Sequence, residues 1–114
     1  MVTLDEYFSL NQSFKKIAKD VKSTIQLNYE EAHILFFILN HKNQEVALKD
    51  LESCTDLSKS LVVRYVKRLI DLGYLSKSRD YEDERKLIIK MTDEEAENAM
   101  IALELIEDQL AISV

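Results

Sequence analysis

Residues that break helices and strands are almost absent from this chain. Among its 114 residues there is no proline, and Gly73 is the single glycine. An all-β protein needs turn residues of these kinds between its strands, so their absence argues against an all-β fold. A single glycine also excludes the glycine-rich loop with which many proteins cradle phosphate. The chain is therefore predicted to be mainly helical, with Gly73 as a candidate helix end.

Helix starts are marked by N-cap residues, three of which are followed three positions later by glutamate in the capping-box pattern. These pairs are Thr3 with Glu6, Asn28 with Glu31, and Thr92 with Glu95. A further N-cap, Ser58, begins the helix "SKSLVVRYVKRLIDL", which ends before Gly73. A brief helix through Leu51 lies between the second capping-box helix and this one.

Two strand-like segments, Tyr74–Arg79 and Arg85–Met91, follow Gly73, and a short apolar edge at residues 46–48 offers a third strand. The predicted order is helix, helix, short helix, helix, strand, turn, strand, helix. This is a mainly α chain with a small β-hairpin, about five helices and two to three short strands. The order is that of a winged helix-turn-helix domain.

We expect one domain over residues 1–114, because the length suits one core and no linker-like stretch interrupts it. Within it, residues 46–91 form the helix-turn-helix and wing. Residues 1–26 and 93–112 form terminal helices.

Charge is segregated along the chain, although the net charge is −6. Residues 57–90 hold nine basic and five acidic side chains, a net of +4, whereas residues 91–114 hold seven acidic side chains and no basic one. Segregated charge creates a local field that attracts a polyanion to the basic part. Blocks of charge on solvated faces give the same pattern, so charge alone leaves both interpretations open.

The helix that begins at Ser58 has an apolar face on the 3.6-residue period and a basic opposite face. Cationic side chains on a helix in the major groove reach phosphates and guanine acceptors, and Val63 suits a thymine methyl. A basic face that is merely solvated fits the same pattern. The candidate DNA-binding residues of this helix are Ser58, Lys59, Ser60, Val63, Arg64, Lys67 and Arg68.

The hairpin "LSKSRDYEDERKLIIKM" adds basic residues directly after this helix. An arginine at a hairpin tip suits a narrow A·T-rich minor groove, where the potential is most negative. The acidic turn between the strands lacks the glycine and ligand spacing of a calcium loop, and its carboxylates are better placed to support the arginines. The candidate wing contacts are Lys77, Arg79, Arg85 and Lys86, and the supporting acidic residues are Asp80, Asp83 and Glu84.

The stretch from "LSKSLVVRYVKRLIDLGYL" through "KMTDEE" resembles the winged-helix core of MarR-type transcription regulators. The wing "KSRDYEDERK" is more narrowly similar to the staphylococcal accessory regulator family, the SarA-like proteins, whose wing carries a KxRDxxDER pattern. "LNYEEAHIL" is similar to the start of that family's second helix. The resemblance spans about residues 27–95. It implies a homodimeric transcription regulator that favours A·T-rich DNA, with Arg79 and Arg85 as wing contacts to DNA.

The terminal helices carry more apolar surface than one small core covers, which favours a two-fold helical interface. Packing of Ile101 and Leu105 onto the first helix of the same chain is the alternative. The residues assigned to the dimer interface are Leu4, Phe8, Phe14, Ile17, Met100, Leu103, Ile106 and Leu110.

The sequence does not support an enzyme. Two histidines, His33 and His41, and one cysteine, Cys54, give no metal-ligand or nucleophile set, so no metal and no cofactor are expected. Some SarA-like relatives sense oxidation through a cysteine near the first helix, and this chain has none there. No polar cluster marks a pocket for a small-molecule effector, so effector control stays open. No apolar run suits a membrane span or a signal peptide, so we expect a cytoplasmic protein without a membrane partner.

The sequence therefore predicts a homodimeric regulator that binds double-stranded DNA. Helix 58–72 would lie in the major groove and wing 75–91 toward an A·T-rich minor groove. The alternative is a winged-helix protein-interaction module without specific DNA binding, whose basic face meets an acidic protein or which merely scaffolds a dimer.

Overall fold

The computed structural model describes residues 2–79 and 86–113. Within these residues five α-helices and three strands follow the predicted order, which confirms the mainly α winged helix-turn-helix. The elements are α1 (Leu4–Ile25), α2 (Tyr29–Leu39), β1 (Glu45–Ala47), α3 (Leu48–Thr55), α4 (Lys59–Asp71), β2 (Ser76–Arg79), β3 (Leu87–Lys90) and α5 (Asp93–Ser113). We call residues 45–90 the winged-helix unit, and α1 and α5 the terminal helices.

The predicted capping boxes form at the starts of α1, α2 and α5. The Thr3 hydroxyl accepts from the Glu6 amide at 3.2 Å, and the Asn28 side chain accepts from the Glu31 amide at 2.8 Å. Thr92 caps α5 in the same way, accepting from the Glu95 amide at 3.1 Å. Each cap satisfies an amide that has no partner within its helix, which is why these helices begin where the sequence predicts.

The strands form an antiparallel sheet in the order β1-β3-β2, in which Ile89 lies opposite both Val46 and Lys77. The first hairpin strand begins at Ser76 rather than at the predicted Tyr74. The Tyr74 amide is used to end α4, donating to the Leu69 carbonyl at 3.0 Å. The second hairpin strand is likewise shorter than predicted and covers Leu87–Lys90.

The core lies between α2, the winged-helix unit and α5. Helix α2 supplies Ile34, Leu35 and Ile38, all fully buried. Its remaining face is less covered, and Phe36 on that face is 57% exposed. The other fully buried apolar side chains among the described residues are Leu27, Leu51, Val62, Leu69, Leu75, Ile89 and Ala99.

Helix α5 meets the core through small side chains. Ala96, Ala99 and Ala102 are buried, whereas Met100, which the sequence places in the same stripe as Ala96, is exposed. Alanine lets helix backbones approach closely, and α5 packs against both α1 and α2. The larger apolar residues of α5 therefore lie at the edge of the core or outside it.

Candidate nucleic-acid interface

Helix α4 is fixed at both ends by its own sequence. The Ser58 hydroxyl accepts from the Leu61 amide at 3.4 Å at the start of the helix. At its end Gly73 has φ +88°, and its amide donates to the Ile70 carbonyl at 3.1 Å. Together with the bond from Tyr74 to Leu69, this is a Schellman motif, which needs a left-handed residue such as glycine. The apolar face of α4 is thereby held against the core.

The opposite face of α4 is exposed and basic, as the sequence predicts. Arg64 lies over the ring of Tyr65, with 5.6 Å between the guanidinium carbon and the ring centre. This contact supports the stem of Arg64 while its charge faces outward. The predicted residues that lie exposed on α4 or at its start are Ser58, Lys59, Ser60, Val63, Arg64, Lys67 and Arg68.

Arg68 differs from Arg64 because its guanidinium is held by an ion pair and a hydrogen bond to other helices. One nitrogen pairs with Glu31 on α2, and another donates to the carbonyl of Gln26 at 2.7 Å. These partners come from distant parts of the sequence, so helical periodicity could not reveal them.

The described part of the wing presents basic residues on one face. Lys77 and Arg79 alternate with half-buried serines along β2 and are exposed, and Lys86 is exposed just before β3. The predicted contact Arg85 and the predicted supporting residues Asp80, Asp83 and Glu84 lie outside the described residues. Their roles stay predictions.

A cleft of about 500 Å³ opens between α3, the start of α4 and the wing. Lys49, Lys59, Arg79 and Lys86 line it, and Glu52 is the one carboxylate among the lining residues that the structure describes. Sequence reasoning missed Lys49, whose only sequence signal is its place on the first helix of the helix-turn-helix. The positive N-terminal end of α4 adds to this field. Such a cleft can bind phosphate oxygens of a polyanion.

The terminal helices present large apolar side chains to solvent. Leu4 is 73% exposed and Phe14 is 65% exposed, and Phe8, Met100 and Leu110 are exposed as well. The other residues assigned to a dimer interface, Ile17, Leu103 and Ile106, are half-buried. They line a groove of about 380 Å³ between α1, α2 and α5, together with Phe14 and Leu110.

Cys54 lies partly buried on α3, with its Sγ 3.8 Å from Nε2 of His33 on α2. Burial raises the pKa of the Cys54 thiol above its ordinary value of 9.0, so the thiol stays protonated at neutral pH. Over residues 2–79 and 86–113 no group of His, Cys, Asp or Glu side chains is arranged to hold a metal ion. None of the described helices combines the length and the apolar character needed to cross a bilayer.

Comparison with known proteins places these features in context. A family model described as "Transcriptional regulator SarA/Rot" matches residues 16–100. The HTH-type transcriptional regulator SarR of Staphylococcus aureus (strain USA300) is 32% identical over 96 residues, which are 84% of this chain and 84% of SarR.

Two solved structures are similar in fold. One is Sco3205, a MarR family transcriptional regulator from Streptomyces coelicolor in complex with DNA, with TM-score 0.82 and 16% identity. The match covers 100% of this chain and 76% of Sco3205. The other is apo wild-type MarR from E. coli, with TM-score 0.79 and 16% identity, covering 99% of this chain and 83% of MarR.

Proposed function

Because the chain belongs to the SarA/Rot family of transcriptional regulators, we propose that it regulates transcription as a homodimer that binds double-stranded DNA. Helix α4 enters the major groove, and the wing lies toward an A·T-rich minor groove. The observation that carries this function is the cleft in which cations of α3, α4 and the wing converge beside the N-terminus of α4.

The four cationic side chains of the cleft come from three separate parts of the fold, and Glu52 is the one carboxylate among the described residues that line it. Four cationic side chains that line one cleft repel one another, because like charges repel at short range. A row of phosphates offsets that repulsion and releases condensed counterions. Lys49 and Lys59 are suited to the phosphates of one DNA strand and Lys86 to the backbone beside the wing, whereas Arg79 is suited to the minor groove.

Base recognition falls to the outer face of α4. Ser60, Val63, Arg64 and Lys67 are exposed on that face. Arginine and lysine pair with guanine O6 and N7, and valine packs against a thymine methyl. The exposed Arg79 and the predicted contact Arg85 supply cations suited to the narrow minor groove of A·T-rich DNA.

The apolar residues exposed on α1 and α5 support a two-fold assembly. In such a dimer two copies of α4 face successive major grooves, about 34 Å apart. The seven carboxylates of residues 91–114 lie on α5, the helix that this dimer places away from the phosphates. The net charge of −6 is therefore compatible with DNA binding.

Gel-shift titration of a random duplex pool at several salt concentrations tests this function. Three phosphate contacts per protomer, from Lys49, Lys59 and Lys86, predict a slope of log K against log salt of about −5 for the dimer. Affinity should fall by about 10³–10⁵-fold between about 50 and about 200 mM salt. Absence of a retarded species at micromolar protein and low salt would instead favour the protein-interaction module.

The wing is tested by comparing A·T-rich with G·C-rich duplexes. Arg79→Ala should cost about 1–3 kcal/mol on A·T-rich DNA and narrow the preference over G·C-rich DNA. Lys16→Ala removes the same charge from the exposed surface of α1 and should leave the preference unchanged. Equal A·T preference in wild type and Arg79→Ala would contradict the assignment of Arg79 to the minor groove.

A further inference from the structure

The engaged guanidinium of Arg68 joins three helices at one point. Arg68 lies in the last part of α4, and its partner Glu31 is the third residue of α2. Its second acceptor, the carbonyl of Gln26, belongs to the residue that ends α1 in a left-handed conformation, with φ 65°. Arg68 therefore contacts the corner at which the chain turns from α1 into α2.

Glu31 is held from two sides and is fully buried. Its Oε1 accepts from the Asn28 amide at 3.0 Å and pairs with Arg68, while no described side chain or backbone group bonds its Oε2. A buried carboxylate is costly unless a cation compensates it, and in this arrangement the compensating cation is supplied by α4. The pairing therefore favours one orientation of α4 relative to the α1–α2 corner.

A second joint connects the winged-helix unit to α5. The Ser76 hydroxyl at the start of β2 donates to the Glu95 carboxylate at 2.7–2.8 Å. The Asn98 side chain donates to the Gly73 carbonyl at 3.3 Å. The winged-helix unit is thus attached to both terminal helices by directional polar contacts, which constrain angles more strongly than apolar packing does.

We propose that the Arg68–Glu31 pair is a positioning device that sets the angle between α4 and α1, and through it the spacing of the DNA half-sites that the dimer accepts. Arg68 then acts on specificity through the protein rather than as a phosphate contact. This inference rests on the proposed function, since half-site spacing has meaning only for a dimer bound to DNA.

The size of the effect follows from the geometry of a two-fold DNA reader. Each recognition helix lies about 17 Å from the two-fold axis when half-sites are one helical turn apart. A rotation of about 5° over that lever moves each copy of α4 by about 1.5 Å, so the separation of the two copies changes by about 3 Å, close to the ~3.4 Å rise of one base pair. Loosening the corner by this amount changes the accepted spacing by about one base pair.

The experiment first selects a bound operator from a random pool with the wild-type chain. Operators are then made with the half-site spacing shortened or lengthened by one base pair, and affinities for all of them are compared. Wild type should prefer its own spacing by roughly tenfold, equivalent to about 1.4 kcal/mol. Glu31→Gln and Arg68→Gln should each reduce that ratio by at least about threefold.

Two further readouts separate positioning from direct contact. The double variant should be no worse than either single one, because both remove the same interaction. The salt slope should stay at the wild-type value in Glu31→Gln and Arg68→Gln. The matched control Lys59→Gln, exposed at the start of α4, should make the slope shallower by about 0.9 per phosphate contact and keep the spacing preference.

The variants used in this test are expected to fold. Glu31→Gln keeps the side-chain volume and the capping box, since glutamine also serves at this position. Arg68→Lys keeps the charge beside the buried carboxylate but cannot engage Glu31 and Gln26 with a planar fork. It should show an intermediate spacing preference, and full wild-type preference in Arg68→Lys would overturn the inference.

The remaining outcomes distinguish failure of this inference from failure of the proposed function. If Arg68→Gln lowers the salt slope while Glu31→Gln changes nothing, Arg68 is a phosphate contact and the inference is wrong. If wild type binds no duplex at all, the proposed function fails. If wild type binds without any spacing preference, DNA binding stands and the positioning role is wrong.

Discussion

The winged-helix unit and the terminal helices differ in how far their large apolar side chains are exposed to solvent. In the unit, Leu51, Val62 and Leu69 are fully buried, while the exposed surface of α4 is basic. In the terminal helices, Leu4 and Phe14 lie open to solvent, while small alanines of α5 contact the core. The core side chains of the unit are covered within one chain, with the help of α2 and α5, whereas the terminal helices leave apolar surface that a second chain could cover.

This difference distinguishes two contributions to the stability of the chain, one within a single chain and one between two chains. Burial inside the unit contributes to stability at any protein concentration. Burial between terminal helices of two chains contributes only when the chains associate, and it follows mass action. Substitutions in the two regions should therefore respond differently to dilution.

The largest effect is expected from Leu69→Ala in the core of the unit. Truncating a fully buried leucine costs about 2–5 kcal/mol of unfolding free energy. The loss should be the same at every protein concentration in urea unfolding followed by circular dichroism. Leu4→Ala is the matched change on α1, and it should lower stability only at concentrations at which dimers form. A concentration-dependent loss in Leu69→Ala would break the comparison.

A charge placed on the terminal helices should dissociate the dimer. Phe14→Asp puts a carboxylate at the centre of the exposed apolar surface and should cost about 2 kcal/mol or more, raising the dimer dissociation constant roughly 30-fold. Sedimentation equilibrium measures this constant. Val63→Asp, on the exposed face of α4, should leave the dimer intact and weaken DNA binding instead. A wild-type chain that stays monomeric at tens of micromolar would contradict the assignment of α1 to an interface.

What could be predicted from the sequence is what local signals specify. N-caps, Gly73 and the 3.6-residue period of α4 act within a few residues of chain, and the structure confirms them. The resemblance to SarA-like proteins is also confirmed, because it rests on a contiguous pattern. The predicted start of the first wing strand was wrong. The Tyr74 amide completes the end of α4, so Tyr74 is not available to pair within the strand.

What the sequence did not reveal depends on contacts between distant residues. Arg68 and Glu31 are 37 positions apart, and no periodicity links them. Lys49 gains its role only because the fold brings α3 beside the wing. The burial of Ala99 and Ala102 was not predicted, because a stripe of large apolar residues is easier to recognise in a sequence than a face of small ones. The dimer interface and the wing contacts of the sequence analysis stay predictions.

A smaller loss is expected from Gly73→Ala, at the junction of α4 and the wing. A Cβ at Gly73 meets no atom within 4 Å, so the cost comes from the backbone conformation at φ +88° alone. A left-handed conformation costs a side-chain-bearing residue about 1–2 kcal/mol, which lowers the melting temperature by about 4 °C per kcal/mol. Gly73→Asn should lose less, because asparagine tolerates this conformation. Equal stability of Gly73→Ala and wild type would show that the helix end is free to rearrange.

The smallest effect concerns Cys54, which lies at the seam between the winged-helix unit and α2. Burial raises the pKa of its thiol above 9.0, so the folded chain retains the thiol proton to a higher pH than the unfolded chain. The resulting contribution to stability is complete below the unfolded pKa and is lost as pH rises through the folded pKa. Iodoacetamide should therefore alkylate Cys54 more slowly in the folded chain than in urea at pH 8, as measured by mass spectrometry. Faster alkylation of the folded chain would contradict this prediction. It would mean that His33, 3.8 Å from the Cys54 sulfur, promotes the thiolate, and that Cys54 is as accessible to solvent as the apolar side chains of the terminal helices.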